Sequence, residues 1–427
     1  MAEVITAFAV LCQAIMIIAG IYGLYHVALA LPVVGTLTPP TPLTDRTHRF
    51  AVLVFAKDEA AVIGQLLGSL RAQQYPSDAF EIFVTADNCS DDTAGVARAA
   101  GATVAERFDA TRIGKGHALT WFFDRFTRAA EFDACVVFDA DNLVDPGFLA
   151  AMNRQLNAGV PIAVGYRVGK NPASTWVSGC SSLFWLMQTR LFHLPRARHG
   201  LPVTSVGGTG FMFDLAVLGG RGWHTSSACE DIEFTLNAIA AGHQVGLAPD
   251  AVFYDEQPLT FAQSLRQRYR WAVGSVQVIG LSGPALWRAA RADWRGKLDA
   301  FLFSIGIPIA GATGLAWVGL LLADTVASGN WWGLAGQLAV SAALGYVLIA
   351  AVALLVLRLE RATWPRVWLT VATFPVYLLS WSVLNIAVLF YRDPTWVPIP
   401  HTEALELEQV HASAHATVVP IPAESEA

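Results

Sequence analysis

Four long apolar stretches constrain the fold of this chain more than any other feature. The first runs from Val4 to Leu31, and the others cover about 298–323, 332–357 and 367–390. A helix needs about 20 apolar residues to cross a bilayer, so each stretch is long enough to do so. Only 15% of the residues are charged, against about 25% in soluble domains. The sequence therefore predicts a multi-pass membrane protein with a soluble part between the first and second stretches.

The whole chain divides into six predicted parts. In order, these are a transmembrane helix at 1–31, a proline-rich linker at 32–47, a soluble domain at 48–255, amphipathic interface helices at 256–297, about three transmembrane helices at 298–391 and a largely disordered tail at 392–427. Arginines follow the first span at Arg46 and Arg49, and three more separate the last two spans. Because cytoplasmic loops are enriched in Lys and Arg, we expect an inner-membrane protein with a cytoplasmic soluble domain. A net charge of −6 gives no indication of a nucleic-acid partner.

Short apolar runs alternate with helical patterns in the soluble domain. Strands are predicted at 51–55, 81–85, 102–106, 134–138 and 162–166, with helices at 59–73, 91–100 and 116–130. The runs are continuous rather than alternating, which is typical of strands buried on both faces. Alternation of strands and helices builds a mostly parallel sheet covered by helices. We therefore predict an α/β fold inserted between transmembrane helices.

Carboxylates follow three of these predicted strands. Glu59 comes after the first, Asp87 after the second, and Asp139 and Asp141 after strand 134–138. Asp and Asn are also common in turns and helix caps, which is the simpler interpretation for any one of them. Ligands of open α/β sheets bind outside the carboxyl ends of the strands. Acids at three strand ends on one edge therefore favour a ligand site.

An acidic site can bind an anionic substrate if a cation lies between them. Oxygen ligands suit Mg²⁺ or Mn²⁺, and Mg²⁺ is typically held by one or two carboxylates plus substrate phosphates. A nucleotide diphosphate would supply the remaining ligands. The glycine-rich loop RIGKGHAL brings Arg112 and Lys115 to a helix start, where phosphate binds well, although the loop is not a Walker A sequence.

Seven motifs together resemble the membrane-bound family 2 glycosyltransferases, which include cellulose, chitin-oligosaccharide, hyaluronan and poly-N-acetylglucosamine synthases. In order, they are VFAKDEA, FVTADNCSDDTAGVARAAGA, GKGHAL, FDADN, GGTG, CEDIEF and QRYRW, and they cover about residues 48–275. The resemblance implies a GT-A-type nucleotide-sugar-binding domain. It also implies an inverting enzyme that uses a UDP-sugar and Mg²⁺ or Mn²⁺.

The resemblance also implies roles for single residues on the donor side of the site. Glu59 and Asp87 would contact uridine, and Lys115 would lie near the nucleotide. Asp139 and Asp141 would form the metal-binding pair, with Asp141 as the direct metal ligand.

Four further residues would act on the acceptor and the leaving diphosphate. Asp231, in CEDIEF, would be the general base, and neighbouring glutamates would raise its pKa. Gln267, Arg270 and Trp271 share one helix face and would bind acceptor or diphosphate. The simpler interpretations are an acidic first helical turn, which the helix dipole favours, and a basic aromatic helix at a membrane surface.

Three residues depart from the family pattern. Phe55 stands where a proline is common, and Asp58 where an asparagine is common. Both are expected to alter the nucleotide pocket. Cys229 stands where the polymer synthases often have threonine, which leaves the catalytic acids intact but makes the substrate class less specific.

Three functions fit these motifs. The leading prediction is a processive polysaccharide synthase that threads its product through its own spans. The alternative is a non-processive enzyme acting on a lipid acceptor. A non-catalytic subunit of a polysaccharide export complex is disfavoured by the complete set of carboxylates.

Two patterns disagree about the side of the membrane on which the C-terminal tail lies. Three C-terminal spans would place the tail outside. The segment YRDPTWVPIPH (391–401), however, resembles a cytoplasmic segment that gates the active site in related synthases. That interpretation needs an even number of C-terminal spans, with 298–323 re-entrant around Pro308.

Overall fold

A computed structural model describes residues 2–33, 46–289, 293–391, 401–413 and 415–416. Most of the predicted linker, most of the segment 391–401 and the end of the tail therefore lie outside the described residues.

An eight-stranded mixed sheet forms the centre of the α/β domain. The strands are β1 Phe50–Ala56, β2 Phe80–Asp87, β3 Thr103–Arg107, β4 Ala134–Asp139, β5 Leu143–Val144, β6 Ile162–Gly169, β7 Phe211–Asp214 and β8 Val245–Asp255. Their order across the sheet is β3-β2-β1-β4-β7-β6-β8-β5. Strands β1 to β4 pair in parallel, whereas β7 runs antiparallel to both β4 and β6. The predicted α/β class with a mostly parallel sheet is confirmed, and all five predicted strands are present.

Fourteen helices are found in the described part of the chain. They are α1 Ala2–Ala30, α2 Ile63–Arg71, α3 Thr93–Ala99, α4 Lys115–Phe123, α5 Phe148–Asn157, α6 Trp176–Gln188, α7 Leu194–Arg198, α8 Glu230–Ala240, α9 Phe261–Arg288, α10 Trp294–Ser304, α11 Gly306–Ser328, α12 Trp331–Leu359, α13 Val367–Phe390 and α14 Leu407–Ser413. A π-helical turn at Thr189–His193 joins α6 to α7. Two short strands, β9 Ala362–Thr363 and β10 His415–Ala416, pair outside the main sheet.

Each face of the sheet is covered by helices, as continuous apolar strands require. On one face, Val52 and Val54 of β1 pack with apolar side chains of α2 and α5. On the other, Leu53 of β1 and Val137 of β4 pack with apolar side chains of α4, α8 and α9. Helix α9 therefore belongs to the core of the α/β domain, and its position relative to the sheet is fixed.

Four described helices are long and apolar enough to cross a membrane: α1, α11, α12 and α13. Helices α1 and α11 run antiparallel, because Gly306 lies against Tyr22 while Gly319 lies against Phe8 and Cys12. At the end of α12, Glu360 accepts hydrogen bonds from Tyr166 of β6 and from Arg190, so this end lies on the α/β domain.

The apolar stretch predicted as one span at 298–323 is divided in two. Helix α10 ends at Ser304 and α11 begins at Gly306. Pro308 occupies the first turn of α11, where a missing backbone N–H has no helical partner to lose. The proline therefore begins α11 rather than interrupting it, and whether the stretch is re-entrant stays a prediction.

Helix α13 lies along the α/β domain rather than leading away from it. Its buried residues fall in two groups, one in its first half and one near its end: Thr370, Phe374, Pro375 and Tyr377, then Asn385 and Val388. The Cys180 thiol of α6 contacts the Thr370 carbonyl near one end of α13.

The other half of α13 follows α9. Arg268 of α9 donates to the Tyr377 carbonyl oxygen at 3.1 Å and to the Ser380 hydroxyl at 2.8 Å. The hydroxyl of Tyr269 donates to the carbonyl of Tyr391, just past the end of α13, at 2.9 Å. Because α6 and α9 both pack on the domain core, both ends of α13 stay beside the domain.

The described tail also contacts the α/β domain. The backbone N–H of Thr402 donates to Glu256 Oε1 at 3.0 Å, and Tyr254 and His411 are joined at 2.9 Å. The described tail therefore lies against the domain, and the even number of C-terminal spans stays a prediction.

Candidate active site

One large cavity lies between the carboxyl edge of the sheet and helices α1, α6, α9, α11 and α13. Its volume is about 1470 Å³. We call it the central cavity. All nine residues predicted for the site line it: Glu59, Asp87, Lys115, Asp139, Asp141, Asp231, Gln267, Arg270 and Trp271.

Parallel pairing brings the carboxylates of three loops to one edge of the sheet. In β1, Phe55 is opposite Thr85 of β2 and Asp139 of β4, so Asp87 and Asp139 end the two strands that flank β1, two residues apart in register. Asp87 is held by Arg107, whose Nη1 donates to Oδ1 at 2.5 Å. Burial nonetheless raises the pKa of Asp87, because removal from water disfavours its charged form.

Lys115 lies against Asp139, as expected for a cation at this edge. Its Nζ donates to Asp139 Oδ1 and to the Gly208 carbonyl at 2.7 Å. Arg112, from the same loop, instead pairs with Asp109 at 3.0 Å and is exposed, so the structure does not bring it into the central cavity.

Asp141 is more deeply buried than Asp139, and its side chain is 5% exposed. Burial is the main reason that its pKa is raised to about 8; nearby carboxylates act in the same direction and His401 opposes them. A buried carboxylate of this kind is stabilised in its charged form by a cation. Asp139 and Asp141 beside a polar cavity therefore fit a hard divalent ion such as Mg²⁺ or Mn²⁺.

Two other acids near this edge have structural roles. Asp58 has φ 57°, a left-handed conformation that Asp and Asn tolerate, and its Oδ1 accepts from the Ser90 N–H at 2.5 Å. Asp91 accepts from the Ala60 and Thr93 N–H groups, each at 3.0 Å. With Cys89, these acids form an exposed cluster of potential ligand atoms, but the hydrogen bonds to their carboxylates explain them as turn residues.

Asp231 lies in the first turn of α8 and faces the loop that contains GGTG. The Ser205 hydroxyl donates to its Oδ2 at 3.3 Å. Its pKa is raised, as predicted, but by burial rather than by Glu233. Glu233 instead accepts from the Ser226 and Ser227 N–H groups at 2.9 and 2.7 Å, which fixes the loop before α8.

Glu230, beside Asp231, also lines the cavity, and burial raises its pKa to about 7. The geometry therefore offers two candidate bases at the start of α8. The motif favours Asp231.

The glycines of GGTG permit a backbone that other residues adopt poorly. Gly208 has φ 77° and its carbonyl receives Lys115. Gly210 has φ 63°, and a Cβ there would lie 2.1 Å from the Phe253 ring. The loop can therefore pass close to both Lys115 and Asp231.

Helix α9 presents the three predicted residues to the cavity from the side facing α13. Arg270 has no carboxylate partner among the described residues, so its guanidinium is available for an anionic group. Trp271 packs edge-on against Trp185 at 5.5 Å and stacks near Trp381 at 6.3 Å.

Three further cavity or near-cavity residues were not among the predictions. Arg167 lies over the Trp185 ring at 3.9 Å and donates to the Gly207 carbonyl. Lys170 donates to the Asp141 carbonyl at 2.9 Å. Both follow the predicted strand 162–166, so the strand-end rule applied to the acids could have found them.

The third such residue is His401, which comes from the described part of the tail. Its Nδ1 lies 2.7 Å from Glu59 Oε1, and its Nε2 lies 3.6 Å from Asp141 Oδ2. The segment YRDPTWVPIPH, which ends at His401, resembles one that gates the active site in related synthases, but no role was assigned to the histidine itself. Burial alone would lower its pKa, but the carboxylates of Asp141 and Glu59 raise it to about 10.

A model of the family described as Glycosyltransferase like family 2 matches residues 48–274. The chain belongs to this family. The match covers the α/β domain and the start of α9, which are the parts that supply all nine predicted site residues of this glycosyltransferase.

Curated relatives match the same region. The glycosyltransferase is 27% identical over 246 residues to the probable glycosyltransferase YdaM of Bacillus subtilis (strain 168), covering 54% of this chain and 56% of the relative. It is 25% identical over 263 residues to the beta-monoglucosyldiacylglycerol synthase of Synechocystis sp. (strain ATCC 27184 / PCC 6803 / Kazusa), covering 59% and 53%. The chain thus spans about half the length of the curated relatives it matches.

A similar fold extends beyond the family region. The mannosyltransferase PcManGT of Pyrobaculum calidifontis, solved in complex with GDP-Man and Mn²⁺, has a TM-score of 0.62 and 20% identity. The similarity covers 90% of this chain and 99% of that one. The shared fold therefore includes the flanking helices as well as the GT-A-like domain.

Two departures from the family pattern have a structural explanation. Asp58 replaces asparagine at a left-handed position that both residues tolerate. Cys229 is buried against α9, where a Cβ on Gly274 would lie 2.5 Å from its Sγ. Its Sγ also lies 3.5 Å from the Trp271 carbonyl. The size of Cys229 thus sets how closely α8 approaches α9.

Proposed function

We propose that this glycosyltransferase transfers a single sugar, with inversion, from a nucleotide-diphosphate sugar to a lipid acceptor at the membrane surface. One observation carries the proposal. The central cavity contains both the carboxylate edge and residues from α1 and α11, two of the helices long enough to cross a membrane.

The carboxylate edge supports the donor half of this reaction. Glu59 and Asp87 are assigned to the nucleoside, with uridine as the expected base, and Lys115, Asp139 and Asp141 to the sugar diphosphate and its cation. A Mg²⁺ or Mn²⁺ ion held by Asp141 would neutralise charge on the departing diphosphate. Lys115 and Arg270 supply fixed positive charge to the same group.

The position of Asp231 supports the part of the proposal that concerns the acceptor. Its carboxylate would remove the proton from an acceptor hydroxyl as that oxygen attacks the anomeric carbon and the diphosphate leaves from the opposite side. Burial raises its pKa, which increases its basicity when ionised. A Cβ on Gly208 would lie 4.0 Å from the Asp231 carboxylate, so this loop passes close to the proposed base.

Part of the cavity wall comes from helices long enough to cross a membrane. Tyr22 and His26 of α1 and Ile307 of α11 line it. Farther along the same pair of helices, Gly319 packs directly against Phe8 and Cys12. A lipid whose headgroup enters beside α1 and α11 suits this arrangement.

A processive polysaccharide synthase is the second candidate. It would use Trp271 as a platform for the terminal sugar of the polymer, and Trp271 does line the cavity. It would also need a passage through the helices, and the lining residues of α1 and α11 lie near their domain ends. The single-addition proposal needs no such passage.

Product length tests the proposal directly. Purified protein in lipid nanodiscs would be given labelled UDP-sugars, with GDP-sugars in parallel, and an acceptor lipid extract. We expect labelled glycolipid that carries one added sugar by mass spectrometry. A labelled polymer would instead establish the processive function, and absence of any transfer with either nucleotide would contradict both.

The orientation of the protein is part of the same proposal. We place the α/β domain and the described tail in the cytoplasm of a cell with the protein in its inner membrane, since Arg46 and Arg49 follow α1 in the sequence and Arg358 lies in the last turn of α12. Cysteine-labelling from each side of the membrane, with a cysteine introduced at Asn330 between α11 and α12, should label that site from outside only. Labelling from the cytoplasmic side would refute this orientation.

A further inference from the structure

The central cavity extends beyond the nine predicted site residues, to a part lined by the end of α6 and the π-helical turn that follows it. Gln188 and His193 line this part, and we call the pair the polar subsite. Neither side chain has a hydrogen-bond partner among the described residues. Because most polar side chains that are withdrawn from bulk water have such partners, two free ones on one cavity wall point to a ligand.

His193 gives the stronger indication of the two. It is only 7% exposed, yet no described residue bonds to either ring nitrogen. Burial and the positive charges of Arg196 and Arg167 lower its pKa to about 3, so the imidazole is neutral at physiological pH. A neutral imidazole has one N–H donor and one acceptor nitrogen, and the Gln188 amide also donates and accepts. The polar subsite therefore offers donors and acceptors without charge.

The π-helical turn explains how two residues five positions apart reach the same cavity. In an α-helix with 3.6 residues per turn, Gln188 and His193 would lie about 140° apart around the axis. The turn at Thr189–His193 widens the helix through hydrogen bonds between residues five apart, which brings the two side chains towards one face. Such turns are rare and frequently lie at functional sites.

Two buried ion pairs hold this turn in place. Arg190 pairs with Glu360, and Arg196 pairs with Asp299 at 2.8 Å, and all four side chains are at most 6% exposed. Arg196 also donates to the Phe192 carbonyl at 3.0 Å. These supports do not involve the polar subsite, so its two side chains are held in position before any ligand binds.

On its inner side, the polar subsite adjoins the residues predicted to bind the acceptor. Trp185, one helical turn earlier in α6, packs edge-on against Trp271 with ring centroids 5.5 Å apart. The charge of Arg167, which lies over the Trp185 ring, acts on both His193 and Asp231. A group held at the polar subsite therefore lies close to the proposed base.

On its outer side, the polar subsite faces a helix long enough to cross a membrane. The Phe192 ring lies 5.7 Å from the His26 ring of α1. Tyr22 and His26 line the same cavity, and Gly306 at the start of α11 lies against Tyr22. A lipid headgroup that enters beside α1 and α11 would therefore meet the polar subsite on its way to the base.

The charges around the polar subsite disfavour an anionic headgroup. Both cations that act on His193 face carboxylates: Arg196 pairs with Asp299 at 2.8 Å, and Arg167 lies 3.7 Å from Asp255. Neither cation is left free to neutralise a phosphate. Hydroxyl groups, in contrast, match the donors and acceptors of a neutral imidazole and an amide.

We propose that Gln188 and His193 bind the acceptor headgroup, and that the acceptor is an uncharged lipid with free hydroxyl groups rather than a lipid phosphate. This inference rests on the proposed transfer to a lipid, and it names the chemical class of that lipid.

Native mass spectrometry tests the binding without measuring transfer. Purified full-length protein, freed of bound lipid in detergent, would be titrated with 1-oleoylglycerol and separately with 1-oleoylglycerol 3-phosphate, which carries a phosphate in place of one hydroxyl. We expect the wild-type protein to bind 1-oleoylglycerol at least about tenfold more tightly, because the phosphate would be buried without a free cation.

Three variants examine the two side chains. His193→Leu and Gln188→Leu remove the hydrogen-bonding groups, and each should weaken 1-oleoylglycerol binding about five- to tenfold. His193→Gln can still donate and accept, so it should retain most of the affinity. The matched control is His224→Leu, since His224 is exposed and does not line the cavity. Nucleotide affinity, measured by calorimetry, should be unchanged in all four variants, which checks that the donor side of the cavity is folded.

The outcomes separate this inference from the function on which it rests. Binding of neither lipid, or equal or tighter binding of the 3-phosphate, overturns the uncharged class. Unchanged 1-oleoylglycerol binding in both leucine variants, or an equal loss in His193→Gln and His193→Leu, overturns the polar subsite. These results leave the transferase proposal intact. If the leucine variants lose binding but the wild-type protein glycosylates no lipid, the polar subsite stands and the proposed transfer to a lipid falls.

Discussion

Replacing Asp231 by asparagine tests the central chemical assignment. Asparagine has the same shape, and its side-chain oxygen can still accept from the Ser205 hydroxyl, which donates to Asp231 at 3.3 Å. The fold and the donor half of the cavity should therefore be unchanged. What is lost is the ability to take a proton.

The expected loss follows from the role of a general base. Such groups contribute about 10²–10⁴-fold to the rate. At about 1.36 kcal/mol per tenfold, this equals about 2.7–5.4 kcal/mol of transition-state stabilisation. Lys115 and Arg270 remain in place in the variant, so residual transfer above the uncatalysed rate is expected.

Glu230 provides a strict comparison, because it is adjacent, lines the same cavity and also has a raised pKa. Transfer per folded molecule would be measured for Asp231→Asn and Glu230→Gln, with nucleotide affinity determined by calorimetry. We expect a drop of at least about 100-fold in kcat only in Asp231→Asn, with unchanged nucleotide affinity in both variants. A larger loss in Glu230→Gln would make Glu230 the base, and more than a tenth of wild-type kcat in Asp231→Asn would refute our reasoning.

Three further predictions concern the same cavity. Burial raises the pKa of Asp231 above its ordinary 3.8, and only the carboxylate can act as base, so kcat/KM should rise with pH through the raised pKa; a pH profile whose acidic limb lies below 3.8 would contradict this. Asp141→Asn should lose metal-dependent nucleotide binding, and EDTA should abolish transfer until Mg²⁺ or Mn²⁺ is added back; full transfer in chelator would exclude the metal. Trp271→Ala should raise the acceptor KM about ten- to a hundredfold with little change for the donor, whereas Trp271→Phe should retain most affinity; unchanged acceptor kinetics in Trp271→Ala would make Trp271 a packing partner of Trp185 only.

The carboxylate edge could be predicted because it depends on local order in the chain. Each acid follows a short apolar run, and parallel pairing places the ends of such runs together whatever the rest of the fold does. Asp87, Asp139 and Asp141 were found by this rule. Lys170, which follows a fourth run, obeys it too.

His401 could not be predicted in this way, since its position depends on contacts between distant parts of the chain. It reaches Glu59 only because the tail docks on Glu256. The position of α13 could not be predicted from the sequence either. Its composition matches that of a membrane span, and its packing on the domain is seen from contacts such as the hydrogen bonds from Arg268 and the contact with Cys180.

Helix α13 has two contrasting sides. Trp368, Val376 and Val383 are 54–68% exposed, and their apolar side chains are suited to lipid tails. On another side of the same helix, Trp381 and Ser382 line the central cavity. On the proposed membrane placement, one helix would be all that lies between the lipid and the reacting groups, so we expect transfer rates to differ between micelles and bilayers and to vary with acyl-chain length.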